Sequence, residues 1–197
     1  MTKGHETRTA ILNQAIDLCS EVGLQGLTIG ELAKKAEMSK SGLYAHFQSK
    51  ENLQCEVLDA AASQFTKSIL TPAFSQPRGL NRIEAMFNNW LQWGEVKLPG
   101  GCPFIAAASE FDDQPGQVRD KLVEHIGNML AMVARAARFS MEEGHFRPDL
   151  DTEQYAFEYW GIILAHHNYF RLLNREDADQ RTKKAFEGLI ARSLNPS

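Results

Sequence analysis

Thr28, Ser39 and Ser49 each stand at the head of a short segment whose apolar residues recur with helical period, so three helix starts are crowded between Thr28 and Leu53. Thr28 with Glu31 three residues on is a capping-box pair, and Ile29, Leu32, Ala33 and Ala36 form the buried face that follows. Glu37-Met38 makes the turn, and Ser39 caps a helix beginning at Lys40. Leu43 and Phe47, one turn apart, pin that helix to a core. Lys40, Ser41, Gly42, Tyr44 and His46 are left on its outer side. Ser49 caps the next helix, in which Leu53, Val57, Leu58, Ala61, Phe65 and Ile69 keep the period to about Leu70. Two short helices joined at a fixed turn are the pattern of a helix-turn-helix DNA reader.

The rest of the chain is helical in pattern too. Upstream, Ala10, Ile11, Ala15, Leu18 and Val22 predict a helix from about Glu6 to Glu21, ended by Gly23 in a left-handed conformation. Downstream, Pro72 and Pro77 mark a break. Helices follow over about 80–97, 104–111 and 117–143, then from an Asp151 or Thr152 cap to about Leu173, and last from Asp177 to Leu194. The helix after Asp151 is apolar on two sides, which predicts that it buries two surfaces. The fold class read from this is all-α with about nine helices, a three-helix N-terminal domain preceding a larger helical domain. With 197 residues, 43% of them hydrophobic, the chain has material for a sizeable core. No apolar run is long enough to span a bilayer and the first ten residues carry no apolar block, so a cytoplasmic protein is expected. Cys19, Cys55 and Cys102 are scattered and odd in number, which argues for reduced thiols.

The net charge of −4 does not advertise a nucleic-acid partner, but its distribution matters. Residues 1–50 hold six Lys/Arg against five Asp/Glu, so the acidic excess lies wholly in the remainder. The N-terminal quarter is the side fit to face a phosphate backbone.

These residues resemble the TetR family of one-component transcriptional regulators. The likeness runs through Ile11-Leu12-x-x-Ala15, Gly23, Thr28-Ile29-x-x-Leu32-Ala33-x-x-Ala36, Ser39, Leu43-Tyr44-x-His46-Phe47 and Ser49-Lys50-Glu51-x-Leu53. Two positions depart from the family pattern: Glu37, where glycine is usual because the turn is left-handed, and Gly42, where Thr, Ser or Ala is common. The resemblance implies a DNA-binding domain over 1–50, a connecting helix over about 50–70, and a ligand-binding and dimerisation domain within 51–197. It also implies a two-fold dimer on a double-stranded DNA operator, paired through about 152–194, and an unidentified small-molecule effector. No cofactor is expected.

Site expectations follow from the helix-turn-helix geometry. Lys40 and Ser41, at the start of the reading helix, are candidates for base edges. Thr28, Tyr44, His46 and Lys50 are candidates for phosphates, with an N-terminal arm contributing Lys3 and Arg8. Ser39 and Gly42 complete the DNA-facing set, Ser39 mainly as a cap. Trp90, Trp93, Phe104, Met129, Met132, Phe157, Trp160 and His166 are candidates for an effector pocket; ordinary core packing is the alternative for each. Adjacent His166 and His167 diverge on a helix, and no clustered Cys/His pattern predicts a metal site. Cys102 in its Gly-Gly-Cys-Pro turn is read as structural. The chain carries no nucleophile elbow, P-loop or dinucleotide fingerprint. The expected function is a repressor that binds a palindromic operator as a dimer and is released by a small molecule, and not an enzyme. The competing reading is a helical ligand-binding protein or enzyme with a vestigial reader.

Overall fold

The computed structural model describes residues 3–196, with side chains from Thr7 onward, and it is helical throughout, in nine unbroken helical stretches among the described residues. An isolated antiparallel bridge between Phe146 and Leu194 is the extended pairing among them. The chain divides into two compact units, one of residues 1–65 and 94–125, the other of 66–93 and 126–197.

The first unit holds α1 (Lys3–Val22), α2 (Ile29–Lys35), α3 (Lys40–Phe47), α4 (Lys50–Phe65), α7 (Pro103–Phe111) and the first turns of α8 (Gln117–Glu142). The start of α1 lies three residues before the Glu6 expected from periodicity. Its buried stripe is also shifted: Ile11, Ala15, Ile16 and Cys19 face the core, while Val22 is 44% exposed. The i, i+4 rows of Ile11-Ala15-Cys19 decide the face, and Ile16 fills the groove beside them. α1 packs on α2, α4 and α7, and α3 is held between α2 and α4.

The starts of α2, α3 and α4 are capped as expected. Thr28 Oγ1 accepts from Glu31 N at 3.1 Å, Ser39 Oγ from Gly42 N at 3.1 Å, and Ser49 Oγ from Asn52 N at 3.0 Å. Each satisfies one of the amides that a helix start leaves without an internal partner. Glu37 sits at φ 53, the left-handed turn expected there, and Gln48 ends α3 at φ 63. Glycine would take both conformations without strain.

The second unit contains a π turn (Thr66–Leu70) leading into α5 (Thr71–Phe74), then α6 (Leu80–Gln92), the rest of α8, α9 (Thr152–His167) and α10 (Ala178–Ser193). The helix expected over 80–97 is regular only to Gln92 and then widens into a π turn. The helix after Asp151 likewise turns π at Asn168–Leu172. Asp151, not Thr152, is its cap, accepting from Glu153 N and Gln154 N at 3.0 Å each. The core of this unit is aromatic: Phe87 stacks on Phe186 at 3.8 Å, and Tyr159 meets both edge-on at 5.3 and 6.0 Å. α9 buries only one of its two apolar sides in the chain, through Tyr155, Tyr159 and Ile163. The other side carries Phe157, 69% exposed.

Candidate functional site

The reading helix α3 is anchored from below and bare above. Leu43 and Phe47 are 0% and 1% exposed, whereas Tyr44, between them in sequence, is 59% exposed. Tyr44 therefore does not pack into the core. Lys40 and Ser41 are exposed in the first turn of α3, Gly42 is half-buried, and His46 is half-buried in its last turn. Ser39 Oγ lies 3.2 Å from Ser41 Oγ, so the cap also orients the neighbouring hydroxyl.

α2 and α3 bring Thr28 and Lys40 together. A β-carbon on Gly30 would lie 3.3 Å from Lys40 Cε, 3.5 Å from Lys40 Nζ and 3.8 Å from Thr28 Oγ1. The small residue lets the lysine stem lie across α2. Thr28's own hydroxyl is already engaged, accepting from Glu31 N and lying 3.2 Å from Glu31 Oε2. Lys50, at the start of α4, donates from Nζ to Gln25 O at 2.6 Å, which ties the α1–α2 turn to α4 while leaving the residue exposed.

Arg8 is placed differently from expectation. It lies in α1 and donates to both Glu56 oxygens at 2.6 and 2.5 Å and to His46 O at 3.2 Å. Its guanidinium also stands 5.1 Å from the centre of the Phe47 ring. It therefore joins α1 to the end of α3 and to α4 and does not belong to a free arm. No sequence signal marked this, since Glu56 is 48 residues away and i, i+4 logic sees only local pairs. The Lys3 side chain, paired with Arg8 in that expectation, lies outside the described residues.

A second link went unread in the sequence. Glu110, at the end of α7, accepts from Gln25 N at 2.9 Å through Oε2, and its carbonyl accepts from Gln25 Nε2 at 2.9 Å. Gln54 Nε2 donates to Leu24 O at 2.7 Å. The turn that positions α2 is thus held by both α4 and α7. Cys19 lies under this turn, and burial pushes its thiol up to about 12, so it stays protonated. Cys102 is 2% exposed, without the access a sensor thiol needs.

The eight effector-pocket candidates are distributed over both units. Phe104 is in the first unit and fully buried; the other seven are in the second. Trp90, Trp93 and Met129 are core residues, and Trp160 lies beside Trp90 at 5.6 Å. Phe157 faces outward. Met132 lines a cavity of about 310 Å³ formed with Phe74, Arg82 and Phe139. His166 lines a groove of about 520 Å³ between α9 and α10, its Nδ1 2.9 Å from Thr182 Oγ1. The next imidazole, His167, has its pKa lowered by burial, with Arg171 and His166 adding to the effect.

Two buried phenols in the second unit carry an unmet demand. The hydroxyls of Tyr155 and Tyr159 are buried with no hydrogen-bond partner among the described residues. Burial raises the pKa of both phenols, so each remains a neutral donor. Leaving such a group unpaired costs about 1–3 kcal/mol.

A capped, outward-facing α3 set on α2 and braced by α1 and α4 defines a helix-turn-helix protein with a helical second unit. The chain belongs to the TetR family: residues 11–56 match the family described as "Bacterial regulatory proteins, tetR family", and residues 79–186 match "Tetracyclin repressor-like, C-terminal domain". It is a ligand-responsive, DNA-binding transcriptional regulator of that family.

Among its relatives, the HTH-type transcriptional repressor NemR of Escherichia coli is 27% identical over 139 residues, covering 67% of each chain. A TetR transcriptional regulator from Chloroflexus aurantiacus has the same fold, with a TM-score of 0.85 at 24% identity over 99% of this chain and 100% of that one. AibR, solved in complex with isovaleryl coenzyme A and operator DNA, aligns with a TM-score of 0.72 at 21% identity over 97% of this chain and 100% of that one.

Proposed function

We propose that the protein is a cytoplasmic repressor that binds a palindromic operator as a homodimer and leaves it when a small molecule binds. The observation that carries the DNA side of this reading is the contrast within α3, where Leu43 and Phe47 are buried while Lys40, Ser41 and Tyr44 stand in solvent. In this reading residues 1–50 are the reader and 51–197 the ligand-binding and dimerisation domain. Lys40 and Ser41 meet base edges in the major groove, and Ser39 and Gly42 set the close approach of the first turn. Tyr44, His46, Lys50 and the start of α2 at Thr28 meet phosphates.

Dimerisation through about 152–194 is supported by an apolar outer surface on α9 and the π turn after it: Phe157 is 69%, Tyr169 38% and Leu172 78% exposed. A groove of about 520 Å³ lies on the same two helices, α9 and α10, which in this reading pair with their copies. A two-fold dimer presents two reading helices to half-sites about 34 Å apart.

The effector is placed in this reading among the helices from 80 to 173, near Trp90, Trp93, Met129, Met132, Trp160 and His166. The orphan hydroxyls of Tyr155 and Tyr159 support it, because a polar ligand group reaching them relieves their desolvation. A hundredfold preference of the effector for the released conformer is worth about 2.7 kcal/mol and shifts operator occupancy accordingly.

A gel shift against the DNA upstream of the protein's own gene tests the reader. The expected result is a salt-sensitive complex that Lys40→Ala and Tyr44→Ala each abolish or weaken at least tenfold. Wild-type binding by both variants overturns the site assignment, and sedimentation at 22.1 kDa overturns the dimer.

A further inference from the structure

We propose that the cup formed by α5, the start of α6 and the end of α8 is a binding site for an organic oxyanion carrying an apolar, single-ring-sized body. All its lining residues belong to the second unit: Phe74, Gly79, Arg82, Met132, Arg135, Ala136 and Phe139. On α8, Met132, Arg135, Ala136 and Phe139 recur at the spacing that places side chains on one face, so the wall is a single helical stripe. The apolar part comes from two rings, a methionine and an alanine; Phe74 is left 44% exposed at the rim.

The polar part consists of two guanidiniums. Arg82 Cζ stands 5.9 Å from the Phe74 ring centre and Arg135 Cζ 5.3 Å from that of Phe139. Neither arginine has a carboxylate partner among the described residues; Arg82 donates from Nε to the carbonyl of Gln76 at 3.0 Å, and its terminal nitrogens are uncommitted. Nearby acidic groups are already taken, since Glu142 and Glu143 both pair with Arg78, which itself lies 4.2 Å from the Phe139 ring centre. The trio of Arg78, Glu142 and Glu143 carries one excess negative charge, so the two guanidiniums of the cup are offset in part and a net positive charge remains.

A guanidinium beside a ring still offers its terminal N–H groups to a carboxylate or phosphate, which arginine takes through two parallel hydrogen bonds. The volume, about 310 Å³, is roughly twice that of a protein cavity known to accept benzene. A benzene-sized ring with a short side chain ending in an oxyanion fills it, with the ring against Phe74, Met132 and Phe139. Gly79 is required at the back of the cup: its φ is 97, and a β-carbon there would lie 2.2 Å from His145 Nδ1.

Isothermal calorimetry on the full chain tests this without DNA, so its outcome is separable from that of the regulator reading. The probes are 3-phenylpropionate, phenyl phosphate, the uncharged 3-phenylpropanol and the ring-less propionate. 3-Phenylpropionate or phenyl phosphate is expected to bind, the tighter of the two identifying the oxyanion, with 3-phenylpropanol and propionate at least tenfold weaker. Arg135→Met and Arg82→Met are each expected to weaken the charged probe at least tenfold, and Met132→Trp to fill the cup and block it. Circular dichroism of each variant confirms that it is folded. Equal affinity for 3-phenylpropanol and 3-phenylpropionate, failure of both charged probes to bind, or undiminished binding to a folded Arg82→Met/Arg135→Met variant overturns the site.

Discussion

Replacing Arg8 by Met keeps an unbranched apolar stem of similar reach and removes only the guanidinium. Three interactions are lost. The ion pair with Glu56, made by Arg8 Nη2 to both carboxylate oxygens, is about one-third exposed on each side, 37% and 31%, and contributes about 1 kcal/mol. The bond to the His46 carbonyl, long at 3.2 Å, adds about 0.5 kcal/mol after water competes for both groups. The approach to the Phe47 ring at 5.1 Å adds about 0.5 kcal/mol. Arg8→Met should therefore lower the unfolding free energy by about 2 kcal/mol, read in urea as a lower midpoint at unchanged slope. A double-mutant cycle with Glu56→Gln should give a coupling of about 1 kcal/mol, since only the pair is shared. DNA affinity should fall as well, because the end of α3 loses its tie to α1. A wild-type urea midpoint in Arg8→Met, or zero coupling to Glu56, refutes the reasoning that this side chain braces the reading helix.

Glu37 adopts φ 53, which costs a side-chain-bearing residue about 1–2 kcal/mol. Glycine removes that strain but adds about 0.5–1 kcal/mol of unfolded-state entropy, so Glu37→Gly is expected to stabilise the fold by about 0.5 kcal/mol. A lower urea midpoint contradicts this. The Asp177 carboxylate is held down at about 2 by hydrogen bonds from Arg175 and then Arg181. With its folded pKa below the unfolded value of 3.8, its stabilisation is present above about pH 4 and is lost as pH falls toward 2. A carboxyl titration followed by NMR should show a midpoint near 2 that rises in Arg181→Gln; an ordinary midpoint in the unaltered protein sinks this.

The caps at Thr28, Ser39 and Ser49, the turn at Glu37 and the anchors Leu43 and Phe47 were legible because each is a local rule. A hydroxyl meets an amide three residues on, and an apolar row repeats each turn. The π turns at Thr66–Leu70, Trp93–Lys97 and Asn168–Leu172 were not legible, since the periodic patterns around them run on unbroken while the hydrogen-bonding register shifts. The burial of individual aromatic side chains was illegible for a related reason. Aromatic content shows that a core exists, but which rings fill it and which, like Phe157, turn outward depends on partners far along the chain.

The stretch from Thr28 to Leu53 thus determined by itself that this protein would carry a helix-turn-helix and which side of α3 would be bare. Tertiary structure decided what holds that helix in place: Arg8 from α1, Glu56 from α4, and Glu110 acting on the turn before α2. It also decided that Arg82 and Arg135 line one cavity, each near a ring and without a carboxylate partner among the described residues. The physical reason is range. Capping and helical period act within a few residues and are written into adjacent letters, whereas the Arg8–Glu56 pair joins side chains 48 residues apart and the cup joins three helices, so both exist only once the helices have packed.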